Sequence, residues 1–181
     1  MTYTKYRTSS FFFIAVLIGT GACKHTNNNS LQEHLKEFVG TEITMPEGLL
    51  LFNDINHHIR GEAKYKLVFY VDSLSCTQCY FNMAIPAWAK LMNKFENSDF
   101  NLMIVFHSQD IESLREQFKT YNLDIPFFVD LYGEFEESNK LPDERILHTF
   151  LLEGNSVVLA GDPSNNPKLL QLYEQKIFTD K

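Results

Sequence analysis

Residues 66–80 read KLVFYVDSLSCTQCY. Lys66 to Asp72 is a continuous apolar, β-rich run, the pattern of a strand covered on both faces. Cys76 and Cys79 follow at once, and CYFNMAIPAWAKLMNKF, from Cys79 to Phe95, reads as a helix with a kink expected at Pro86. The two thiols therefore sit between a buried strand and a helix N-terminus. There, unpaired backbone N–H groups and the helix dipole favour an anion. That placement predicts a thiolate nucleophile at Cys76 and a more sheltered resolving thiol at Cys79, one turn on.

Two other uses of a C-x-x-C pair stand beside the redox one. A zinc site needs two further ligands, and no second C-x-x-C exists. The six histidines are scattered, with His57 and His58 adjacent and His25 and His34 in or near a polar tether. A purely structural disulfide suits an oxidising compartment, but so short a bridge constrains the unfolded chain little. Redox chemistry is the expected role.

Outward from this stretch, strands and helices alternate. FNLMIVF (Phe100–Phe106) is a second buried strand, and Ile111, Leu114, Phe118 and Tyr121 mark an amphipathic helix. PFFVDL (Pro126–Leu131) is a third strand. HTFLLE and SVVLAG flank Gly154-Asn155 as a β-hairpin, and Pro167 opens a closing helix to about Phe178. Toward the N-terminus, Ser30 to Val39 reads as a helix stopped by Gly40. Thr41 to Pro46 reads as a strand, and Leu49 to Ile59 is ambiguous. The expected class is α/β, a mixed central β-sheet with helices on both faces.

The first residues have a different character. Lys5 and Arg7 precede FFFIAVLI (Phe11–Ile18), followed by the small residues of Gly19-Thr20-Gly21-Ala22 and then Cys23. A positive start, a short apolar run and a small-residue cleavage site describe an export signal over residues 1–22. Eight apolar residues are too few to span a bilayer, which takes about 20. Thr20-Gly21-Ala22-Cys23 resembles the lipobox of bacterial lipoproteins, with Thr20 where leucine is usual. The resemblance implies acylation of Cys23 and attachment to a membrane surface without spanning it. Ordinary cleavage after Ala22 is the alternative. Residues 23–40 are then the anchor's tether and N-terminal helix, and residues 41–181 the folded domain.

Composition bounds the core and the partners. The 181 residues carry a net charge of −7, with 16 phenylalanines and 8 tyrosines for a core. With no basic run longer than two residues, nucleic acid is excluded as an expected partner.

The stretches KLVFYVDSLSCTQC, IPFFVDLYGEFEESNKLP and HTFLLEGNSVVLAGDP together resemble the thioredoxin-like superfamily, most closely envelope-anchored redoxins of the TlpA/ResA and AhpC/TSA type. The resemblance spans roughly Thr41 to Phe178 and implies a thioredoxin-like fold. It also implies a thiol-disulfide oxidoreductase facing the periplasm from the cell envelope. Expected partners are exported thiol or disulfide proteins, a redox partner, and the membrane through Cys23; no cofactor is called for. Cys76 resembles the nucleophilic and Cys79 the resolving cysteine. Thr77-Gln78 replace the usual Gly-Pro, Tyr70 fills the slot of a buried acid, and Trp88 lies in the helix rather than beside the motif. Asp72, two residues on and on the same strand face, either substitutes for that acid or only ends the strand. His148 stands where the family has a cis-proline, so a trans bond is expected there. The imidazole then either comes near the thiols as a third site residue or points to solvent. Thiol peroxidase activity and a non-catalytic envelope binding lipoprotein with a structural disulfide are the alternatives. The binding alternative draws on the aromatic segment Phe127–Phe135, and His107 is a further candidate to face the site.

Overall fold

The computed structural model describes residues 28–52, 63–74, 77–95, 98–121 and 127–179. Residues 1–22, read above as an export signal, and Cys23, Cys76, His57 and His58 lie outside the described residues.

Among the described residues, six strands form one sheet in the order β1-β4-β3-β2-β5-β6. They are β1 (Leu50–Phe52), β2 (Tyr65–Val71), β3 (Phe100–His107), β4 (Phe127–Asp130), β5 (Thr149–Glu153) and β6 (Ser156–Ala160). β2, β3 and β4 run parallel, while β1, β5 and β6 are antiparallel to their neighbours. The sheet is therefore mixed, as the sequence pattern predicts. The helices are α1 (Asn28–Phe38), α2 (Thr77–Phe95), α3 (Ile111–Thr120), α4 (Glu134–Asn139) and α5 (Pro167–Thr179).

Handedness sorts the helices into layers. The crossovers β2–α2–β3 and β3–α3–β4 step the same way along the sheet, so right-handed connections put α2 and α3 on one face. Trp88, Leu91 and Phe95 of α2, Leu114 and Phe118 of α3, and Tyr173 and Ile177 of α5 share one core there. Phe38, Phe135, Leu141 and Leu147 cover the opposite face, against Val68, Tyr70, Val105 and Phe150. A strand roofed on both sides cannot alternate, which is why Leu67 to Val71 are all buried. Trp88 packs its ring on Phe69 at 5.4 Å, a core role far from the dithiol motif in sequence. Burying an aromatic or large aliphatic side chain of this kind stabilises the fold by roughly 1.5–3 kcal/mol.

Pro86 lies inside α2, one helix from Thr77 to Phe95, as the sequence pattern predicts. One local reading is corrected and one element is added. Thr41 to Pro46 does not form a strand. Only Gly40 to Ile43 lies along β6, through Gly40 N–H to Val157 O, Val157 N–H to Thr41 O and Ile43 N–H to Asn155 O, with one bridge at Glu42–Ser156. α4 is an additional helix. Its start is fixed by Asp130, whose carboxylate accepts from the N–H groups of Tyr132, Gly133, Glu134 and Phe135 at 2.8–3.3 Å.

Candidate active site

The carboxyl ends of β2, β3 and β4 meet the amino end of β5 at one edge of the sheet. Asp72 follows β2, His107 ends β3, Asp130 ends β4, and His148 precedes β5. Ligand sites of open α/β sheets form outside such strand ends. α2 begins at Thr77, so the sequence puts Cys79 in its first turn and Cys76 one residue ahead of it. Cys76 and the side chain of Cys79 lie outside the described residues.

His148 is the best-defined candidate. Its backbone carbonyl accepts from Tyr70 N–H at 2.9 Å, which continues the β2–β5 ladder by one residue. The side chain is buried, and its Nε2 lies 2.8 Å from the Pro142 carbonyl. A carbonyl only accepts, so Nε2 carries a proton and donates. Nδ1 faces Asp72, 4.0 Å from Oδ2, and the ring meets Tyr70 edge-on at 5.3 Å. The solvent-pointing alternative for His148 is thereby overturned, because the ring is buried among Pro142, Asp72 and Tyr70. The Leu147–His148 peptide bond is trans.

Asp72 does more than end a strand. Oδ1 accepts from Leu74 N–H at 2.9 Å, and Oδ2 takes Arg145 Nε at 2.7 Å. A single carboxylate thus joins the loop after β2 to the 3₁₀ turn Arg145–Leu147 before β5. Its own side chain is only 11% exposed.

Tyr70, in the slot where the resembled family has an acid, borrows one from elsewhere. Its hydroxyl donates to Glu136 Oε2 of α4 at 2.8 Å. His107 Nδ1 stands 3.4 Å from the Tyr70 hydroxyl oxygen. Burial, then the bond to Glu136, push the Tyr70 phenol far above its ordinary pKa of 10.0, so it stays a neutral donor. The His107 ring rests on Gly133, where a Cβ would stand 2.9 Å from its Cε1, and Gly133 has φ of 77°. Of the aromatic segment Phe127–Phe135, Phe127, Val129 and Phe135 are buried, whereas Tyr132 is exposed.

No family model and no curated protein matches the sequence. Solved structures do match. One is the thioredoxin domain of a thiol-disulfide oxidoreductase from Bacteroides vulgatus, at 14% identity and a TM-score of 0.53, covering 77% of this chain and 97% of that one. A thioredoxin-like superfamily protein aligns at 14% identity and a TM-score of 0.55, over 77% of this chain and 96% of that one. A thioredoxin-like protein solved in its oxidized form aligns at 17% identity and 0.52, over 77% and 97%.

The fold is thioredoxin-like. In its terms, Asp72, Tyr70, His107 and His148 gather at the strand ends from which the C-x-x-C segment departs. Sequence reasoning singled out each of those four. It missed Arg145, Glu136 and Asp130. Arg145 carries no local signal beyond lying three residues before His148. Glu136 sits 66 residues from the hydroxyl that it binds.

Proposed function

We propose that this protein is a membrane-anchored thiol-disulfide oxidoreductase of the TlpA/ResA type, acting on exported proteins through Cys76 and Cys79. The observation that carries the reading is the C-x-x-C motif at the junction of β2 and α2, in a thioredoxin-like fold, at the edge where three parallel strands end. Cys76 as thiolate attacks one sulfur of a substrate disulfide. That S–S bond breaks, a substrate thiolate leaves and takes a proton, and Cys76 holds a mixed disulfide. The Cys79 thiolate then attacks the Cys76 sulfur, releasing the second substrate thiol and closing Cys76–Cys79. Two electrons pass from the protein dithiol to the substrate, and an external dithiol donor resets the protein. Run in reverse, the same steps oxidise a dithiol substrate.

His148, which precedes β5, is assigned to the same site, where an imidazolium near Cys76 would favour the thiolate. Anchoring rests on Cys23 after the apolar run; no described helix is long and apolar enough to cross a membrane. Residues 23–40 serve as tether and first helix, and residues 41–181 as the catalytic domain. The decisive test is trapping. Cys79→Ser should accumulate mixed disulfides with substrates, and Cys76→Ser should abolish exchange. Trapping by Cys76→Ser alone would reverse the roles. Cys23→Ala should release the protein from membranes.

A further inference from the structure

A polar contact joins α1 to the segment that leads into β5. His34 Nδ1 lies 2.6 Å from Glu144 Oε1, across a separation of 110 residues. Glu144 precedes the 3₁₀ turn Arg145–Leu147, and its carbonyl accepts from Leu147 N–H at 2.8 Å. Further bonds of this segment reach the strand ends. Arg145 Nε meets Asp72 Oδ2 at 2.7 Å, and His148 Nε2 donates to the Pro142 carbonyl at 2.8 Å. Residues 142–148 therefore form one bonded unit, tied to α1 at Glu144 and to β2 at Asp72.

The contact bridges an opening. Between α1 and residues 138–143 lies a cavity of about 560 Å³, with Glu37, Thr41, Glu42, Lys140 and Asp143 among its walls. The C-terminal end of α1 is packed in the usual way, Phe38 meeting Phe150 edge-on at 5.2 Å. Glu144 needs its partner: Oε2 is buried and has no hydrogen-bond partner among the described residues. A carboxylate so placed calls for a matching charge, which an imidazolium at His34 supplies. The bond to Glu144 first, then the nearby charges of Glu144, Glu37 and Asp143, favour the proton on His34. Glu42 and Lys140, one of each sign, line the same cavity.

We propose that the His34–Glu144 contact is a pH-sensitive latch, which locks residues 142–148 to α1 while His34 is protonated and loosens them when that proton leaves for solvent. A neutral imidazole can still donate to Glu144, but without its charge the bond is weaker. Glu144 then recovers hydration by swinging outward, and the turn that it leads follows. The displacement relaxes Arg145 on Asp72 and Pro142 on His148, so the acidity of the surroundings sets how firmly those two site residues are held. The latch stands apart from the thiol-disulfide reading, because neither cysteine takes part in it.

Amide hydrogen exchange on the full-length protein reads the latch, at about pH 5.5 and about pH 8.5 so that His34 is crossed. Each rate is divided by the intrinsic rate at the same pH. Protection of the Leu147 and His148 amides should fall about threefold or more between the two conditions, while Leu67 and Val68 in β2 stay constant. His34→Gln should show the lower protection at both pH values. His34→Arg, charged throughout, should show the higher protection at both. Wild-type protection that ignores pH, or that falls equally in β2, overturns the latch. A pH response that survives in His34→Gln, or one confined to α1, overturns it as well.

Discussion

Replacing Tyr70 by Phe deletes one oxygen and leaves the ring, so the edge contact to His148 and the stack on Phe135 at 5.6 Å survive. What is lost is the hydroxyl's bond to Glu136. The 3.4 Å approach of His107 Nδ1 is long for a hydrogen bond, so the single phenolic proton goes to Glu136 at 2.8 Å. Hydrogen bonds to charged groups contribute about 1.5–3 kcal/mol. Glu136 is only half-buried, and water can partly replace the phenol, which favours the lower end. A loss of about 1–2 kcal/mol is therefore expected, or about 2–8 °C in Tm for a chain of this length. The clean measurement is a double-mutant cycle of Tyr70→Phe and Glu136→Ala, by urea unfolding. If the hydroxyl and carboxylate hold each other, the double variant costs about 1–2 kcal/mol less than the two single losses together. Additivity to within about 0.3–0.5 kcal/mol would refute the idea that α4 is tied to β2 through this bond.

Three further outcomes are expected. Tyr173 is fully buried, donates to the Gly161 carbonyl at 2.8 Å, and is held by burial far above its ordinary 10.0. The folded state keeps this proton after the unfolded chain loses it, so the associated stability is present below about pH 10 and lost as pH rises further. Tyr173→Phe should thus cost about 1 kcal/mol at neutral pH yet lose stability less steeply above pH 10, and parallel curves would exclude the linkage. His34 Nδ1 lies 2.6 Å from Glu144 Oε1, and this hydrogen bond raises the His34 pKa above 6.5. Its contribution is complete below that value and fades as pH climbs through the raised one; proton NMR should show a high His34 midpoint that falls back in Glu144→Gln. Lastly, His148→Asn should raise the Cys76 thiol pKa by about half a unit or more, one unit being about 1.4 kcal/mol, and an unchanged thiolate titration removes His148 from the site.

Where a signal is local, the sequence displays it. Lys66 to Asp72 is apolar without alternation because both faces of β2 are roofed. Ile111, Leu114 and Phe118 repeat at helical spacing because α3 packs one stripe, and Asp110 caps it through Ser113 N–H at 3.0 Å. α4 escapes the same reasoning. It has six residues, and among them only Phe135 is buried, too few for a period to show. Its start depends on a carboxylate that, on paper, belongs to a strand. The alternation of Thr41 to Pro46 is real, but this segment meets only the end of β6 and closes a single bridge.

The site follows a different logic, because its contacts are consequences of register. Asp72 and His148 can each be suspected from position, but not the bonds that organise them. Phe69 pairs with Thr149 across β2 and β5, and that pairing alone brings His148 to the backbone of Tyr70. The same register lets the Arg145 turn reach Asp72. On the other flank, β3 and β4 pair His107 with Asp130, which sets Gly133 under the His107 ring and swings Glu136 over Tyr70. Because side chains alternate faces along a strand, a slip of one residue between β2 and β5 would send these groups to opposite sides of the sheet. Large buried side chains on both faces, Phe69 on one and Tyr70 and Phe150 on the other, make that slip costly. The core thus fixes the register, and the register assembles the polar cluster at the strand ends.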